Sequence, residues 1–94
     1  MPQAVYIVSS IRSPVGKAGG VFKQVRPDDL LSFVLKELLK NNPNIDPKVI
    51  DDVVIGCAMP EAEQGLNIAR IAALLANYPQ SVSGVTVNRF CASG

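Results

Sequence analysis

The chain has 94 residues, 48% of them apolar and 18% charged, with a formal net charge of +1. That length allows one small domain, and a charged share below the usual ~25% separates it from disordered tails and solvated repeats. With no histidine and near neutrality, its residues offer neither a His-ligated metal site nor the basic footprint of a nucleic-acid or anionic-membrane binder.

The first apolar run, Ala4-Val5-Tyr6-Ile7-Val8, is short, rich in β-branched residues and closed by Ser9-Ser10. Because it is continuous rather than alternating, it predicts a strand buried on both faces, as in a parallel sheet. Residues 11–22 carry Pro14, Gly16, Gly19 and Gly20 and read as a loop. Arg26-Pro27-Asp28-Asp29 opens a helix, with proline near its first position and two carboxylates at the positive end of the dipole. Leu30, Leu31, Val34, Leu35 and Leu38 form its apolar stripe. Asn41-Asn42-Pro43 stops it, and Asp46-Pro47 predicts one short turn through Ile50.

A second buried strand is expected over Val53-Val54-Ile55-Gly56-Cys57-Ala58, followed by a loop from Met59 to Gly65. Asn67 or a neighbour caps a second helix whose packing residues are Ile68, Ile71, Ala72, Leu74 and Leu75. Its alanines permit close approach to a neighbour, and Tyr78-Pro79 ends it. Gly84 precedes a third strand, Val85 to Phe90. The predicted fold class is α/β: one layered β-α-β-α-β unit with a mainly parallel sheet, spanning residues 1–94.

Cys57 and Cys91 are the only cysteines, and no C-x-x-C spacing exists, so zinc and thioredoxin-like readings fail. The N-terminus lacks a basic region before an apolar core, and no stretch approaches the ~18 residues of a membrane-spanning helix. A soluble protein of a reducing compartment is the expectation.

In a parallel sheet, ligands meet the carboxyl ends of the strands. Residues 9–20, 58–65 and 91–94 lie there, and the last is the most specific. A cysteine directly after a strand, followed by Ala92-Ser93-Gly94, would occupy the first turn of a helix. Backbone amides there favour a thiolate, and small neighbours leave room for an acyl group. The alternative is a buried structural cysteine, the commonest state of a free thiol. Cys57, inside a strand run, is assigned to packing. Gly16-Lys17-Ala18-Gly19-Gly20 fits no phosphate-loop pattern. Glu61 and Glu63 are read as solvated loop charges, and Arg12 and Arg70 as structural pairing residues.

Asn88-Arg89-Phe90-Cys91-Ala92-Ser93-Gly94 resembles the acylation motif of the thiolases, an asparagine three residues before Cys-x-Ser-Gly. Residues 8–17, Val-Ser-Ser-Ile-Arg-Ser-Pro-Val-Gly-Lys, resemble that family's opening strand and Arg-Thr-Pro-x-Gly loop, with Ser13 where threonine is usual. Residues 55–65 are similar to the second strand and loop of the degradative 3-ketoacyl-CoA thiolases, and Asn67-Ile68-Ala69-Arg70 to the second helix. Phe90 stands where glutamine is common.

The resemblance implies the first part of a thiolase N-terminal domain, with the rest of the family's fold absent from residues 1–94. It implies an acyl-CoA C-acyltransferase of fatty acid β-oxidation. Such an enzyme cleaves 3-ketoacyl-CoA to acetyl-CoA and a shortened acyl-CoA, or runs the reverse Claisen condensation, through an acyl-Cys91 thioester. The partner bases come from later family motifs, so these 94 residues alone are expected to be inactive. CoA and acyl-CoA enter as substrates; no metal and no resident cofactor is implied. The family's habit implies a homodimer or tetramer through the edge strand Val85–Phe90, and association with a multifunctional β-oxidation subunit. The implied location is cytoplasmic, or mitochondrial or peroxisomal in a eukaryote. Two alternatives are another condensing enzyme, such as a ketoacyl synthase, and a small non-enzymatic α/β interaction module.

Overall fold

In a computed structural model, which describes residues 2–94, two helices pack on a two-stranded parallel sheet. The α/β class and the parallel pairing are as the sequence predicts. Helix α1 spans Pro27–Lys40, with Pro27 at its first turn, Asp28 and Asp29 beside the positive dipole end and Lys40 at the other. Asn42 caps its end by donating from Nδ2 to the Leu38 carbonyl at 2.8 Å. The Asp46 side chain then accepts from the Lys48 amide and starts a single 3-10 turn, Pro47–Val49.

Strand β1, Asp52–Gly56, pairs in parallel with β2, Ser83–Val87, with Val54 opposite Val85 and Gly56 opposite Val87. Between them come a 3-10 turn, Ala62–Gln64, and helix α2, Ile68–Leu75. The amide of Tyr78 bonds back to the Ala73 carbonyl, and Asn77 sits at φ +61°. This is the left-handed Schellman closure that asparagine tolerates. The helix therefore stops before Tyr78-Pro79.

The core forms where α1 and α2 meet the sheet: Leu35, Val53, Ala69, Ala72, Ala73, Ala76, Tyr78 and Val82. Alanine dominates because α2 lies almost on β2. A Cβ at Gly84 would stand 2.8 Å from the Arg70 amide nitrogen. Expected packing residues Leu74 and Leu75 are instead exposed, and Ile71 is half-buried. The small face of the helix wins the contact, since only alanines permit that separation, and the two leucines turn outward.

Two further expectations are corrected. The run 4–8 forms no strand: Val5 and Ile7 are each 93% exposed. An apolar run becomes a strand only where a neighbour supplies a ladder, and the one ladder among the described residues joins β1 to β2. The third strand lies at Ser83–Val87, not Val85–Phe90. Asn88 ends it by taking the Phe90 amide on its own side chain, an Asx turn that bends the chain away. No helix among the described residues is long and apolar enough to cross a membrane.

Candidate active site

Parallel strands β1 and β2 deliver their following segments to one end of the sheet. The Cys57 amide donates to the Val87 carbonyl at 2.9 Å, so the chain leaving β1 and the chain leading to Cys91 start side by side. Cys91 lies in a single 3-10 turn, Phe90–Ala92, and its side chain is exposed. The turn is stapled by local bonds. Ser93 Oγ accepts from the Arg89 amide at 2.8 Å, and Asn88 Oδ1 accepts from the Phe90 amide at 2.9 Å. The Ala92 amide donates to the Arg89 carbonyl and the Ser93 amide to the Phe90 carbonyl. Among the described residues the Cys91 amide has no partner, so it is a donor free to meet an oxyanion.

The predicted helix start at Cys91 is thus a turn of three residues. Phe90, just before the thiol, holds φ +50°, a left-handed conformation that a bulky residue adopts only when its surroundings impose it. Gly56 is what lets the turn sit down on β1, because a Cβ there would collide with the Ser93 carbonyl oxygen.

The other sequence candidates separate cleanly. Cys57 is half-buried and lies just past the end of β1 rather than inside the strand. Arg70 is structural: its guanidinium donates to the Val82 carbonyl and ties α2 to the entry of β2. Arg12 is exposed, in an open hollow beside Ser10 and Ile11. Glu61 is exposed, whereas Glu63 accepts from Arg26 Nη1 at 3.1 Å and is therefore not merely solvated. No group of three or more His, Cys, Asp or Glu side chains among the described residues gathers to hold a metal. An apolar groove of about 430 Å³ runs between α1 and β1, but no residue beyond Tyr78 lines it, which sets it apart from Cys91.

Three supports of the site escape a reading of local spacing. Asn67 leaves its expected cap role and reaches across to β2, where Nδ2 donates to the Gly84 carbonyl and Oδ1 accepts from the Thr86 hydroxyl at 2.7 Å. Thr86 Oγ1 in turn accepts from the Ala69 amide, so the strand leading to Cys91 is locked to the start of α2. Ser93 acts as a staple rather than a spacer. Arg26 grips Asp28 through Nε and Nη2, each at 3.0 Å, and Glu63 through Nη1. Its hydrogen bond and charge hold the Asp28 carboxyl below the usual range and raise the arginine in return. Pairs 17 to 37 residues apart leave no periodic signal; only the hydroxyl and amide types at 67 and 86 hint at them.

Residues 5–94 match the family model described as thiolase, N-terminal domain. The chain is 52% identical over 89 residues to the 3-oxoadipyl-CoA/3-oxo-5,6-dehydrosuberyl-CoA thiolase of Escherichia coli strain K12, covering 95% of this chain and 22% of that protein. It is 49% identical over 92 residues to the 3-ketoacyl-CoA thiolase of Erwinia tasmaniensis, covering 97% of this chain and 24% of the relative. Among solved structures, the Bacillus anthracis acetyl-CoA acetyltransferase superposes with a TM-score of 0.75 at 40% identity, over 87% of this chain and 20% of that one. The chain therefore spans less than a quarter of the length of these relatives.

Proposed function

The chain belongs to the thiolase family, and from that premise we propose that the protein it comes from is an acyl-CoA C-acyltransferase working through an acyl-Cys91 thioester. The carrying observation is the exposed Cys91 thiol in a stapled turn at the carboxyl end of β2, beside a free backbone amide. In the degradative direction the Cys91 thiolate bonds to the keto carbon of a 3-ketoacyl-CoA. The bond between carbons 2 and 3 breaks, and its electron pair is protonated at carbon 2 to release acetyl-CoA. The thiol of a second CoA then loses its proton and attacks the thioester carbonyl, which frees the Cys91 thiolate. Dividing the transfer into two thioester steps is nucleophilic catalysis, and the Cys91 amide would stabilise the oxyanion in both. The proton-moving groups lie outside these 94 residues, which hold no histidine.

The names of the relatives support both 3-ketoacyl-CoA and 3-oxoadipyl-CoA as substrates, and β-oxidation is the role proposed here. CoA is a substrate, with no metal and no resident cofactor. The proposal includes a cytoplasmic location and a dimer or tetramer built on the open edge of β2, whose unpaired backbone otherwise invites pairing. A multifunctional β-oxidation subunit is the proposed further partner. In the whole protein, Cys91→Ala is expected to lower thiolysis on the order of a thousandfold or more. Cys57→Ala retains it, and quenching with 3-ketoacyl-CoA traps an acyl mass on the Cys91 peptide. Retained thiolysis in Cys91→Ala, or the acyl mass on another residue, would overturn the mechanism.

A further inference from the structure

The loop that leaves β1 is more constrained than a surface connection needs to be. Ala62 and Leu66 both hold left-handed φ values, +52° and +57°, which non-glycine residues keep only when their surroundings over-determine them. Gln64 Nε2 bonds back to the Met59 carbonyl at 2.8 Å, and the amides of Glu61, Gln64 and Gly65 are all taken within the loop. Its apolar side chains nonetheless point outward, with Met59 63% and Leu66 91% exposed. This is a rigid loop presenting apolar groups at the end of the sheet where Cys91 lies.

The external hold on that loop is Arg26. An exposed ion pair usually gains little, because two long side chains must be frozen to make it. Here the guanidinium is frozen beforehand. Nε and Nη2 form a fork on Asp28, a mostly buried residue whose Oδ1 also accepts the Asp29 amide at 3.0 Å. The remaining Nη1 is thereby aimed at Glu63 Oε2, and little further ordering is needed to hold it. Helix α1 packs on the same turn, Ala62–Gln64.

We propose that Arg26 is a positioning residue for acyl transfer: clasping Asp28 and Glu63, it fixes residues 59–66, which leave β1 at the end of the sheet where β2 leads to Cys91, as an apolar wall on which the acyl group of a 3-ketoacyl-CoA rests. This assignment rests on the acyltransferase reading above and adds a specificity element remote from the thiol. A loosened wall weakens the hold on the acyl group and leaves the bond-breaking step intact, so KM moves and kcat does not.

The test uses the whole protein with Glu63→Gln and Glu63→Lys. The first removes the charge at constant size, and the second sets like charges face to face. KM for a medium-chain 3-ketoacyl-CoA is expected to rise about threefold in Glu63→Gln and about tenfold in Glu63→Lys, with kcat within about twofold. Amide exchange over residues 59–66 quickens in the same order. Added salt raises the parent's KM toward that of Glu63→Gln. An active parent whose Glu63→Lys variant keeps both its KM and its exchange rates overturns this assignment alone. A parent that cleaves no 3-ketoacyl-CoA overturns the functional reading and this assignment together, while the exchange data still report whether the clasp holds the loop.

Discussion

Tyr78 joins the two helices through one atom. Its hydroxyl donates to the Leu35 carbonyl at 2.9 Å, across 43 residues of sequence, and both groups are buried. Tyr78→Phe removes the donor and is expected to lower stability by about 1 kcal/mol in urea unfolding. Burial also pushes the Tyr78 phenol above its ordinary value, because the tyrosinate would lose its hydration. A raised folded-state value contributes stability that is complete below the unfolded tyrosine value of about 10 and fades as pH climbs through the folded one. The parent's unfolding midpoint should therefore fall above about pH 10, and Tyr78→Phe should blunt that fall. Asp28 carries the opposite sign. Its value is lowered by the Arg26 hydrogen bond and charge, so its contribution is present above the unfolded carboxylate value of about 3.9 and disappears as pH drops through the folded one. Asp28→Asn should flatten that acid limb. The Asp28 shift comes from an arginine two residues before it, whereas the Tyr78 shift comes from burial against segments distant in sequence, which no local spacing announces.

Elements were legible wherever their signals are local. Proline and two aspartates at the start of α1, asparagines at its end, and the Asp46-Pro47 turn all lie within a few residues of the structure they cause. What the sequence left open is how closely elements approach. Two glycines decide this. At Gly84, a methyl group would meet the backbone of Arg70 and Ala69 at 2.8 and 3.0 Å. Gly84→Ala must push α2 off the strand and should cost about 1–3 kcal/mol, read as a lower urea midpoint. At Gly56 the obstacle is the Ser93 carbonyl in the Cys91 turn. Gly56→Ala must push that turn off β1. Displacing the turn by an ångström or so should reduce thiolysis on the order of a hundredfold. The motif located Cys91 beyond the carboxyl end of a strand, and there it lies in a 3-10 turn, Phe90–Ala92.

At the scale of the molecule, the failed strand is the informative element. Residues 4–8 have the composition of a central parallel strand, and that much is intrinsic to the run. Pairing is not intrinsic, because it needs an edge in register and a face to cover. β1 keeps one edge open, and the groove between it and α1 is lined by Leu31, Leu38, Ile45 and Val53. On the sheet, Val54 and Val85 are also exposed. Yet the run stands apart, and the molecule measures 48 × 28 × 24 Å with a radius of gyration of 14.3 Å, against about 12 Å for a compact chain of this length. A core in which alanine supplies half of the buried residues buries less apolar area per residue than one of leucine and isoleucine. Amide exchange should divide the 94-residue chain accordingly. Strand amides that point into the β1–β2 ladder, such as Ile55 and Val85, are expected to be the slowest, limited by global unfolding. Amides of Val5 to Val8 should exchange at the rate of an unstructured peptide. Protection of Val5 to Val8 equal to that of β1 would show the run paired as a third strand and would refute the arrangement seen here.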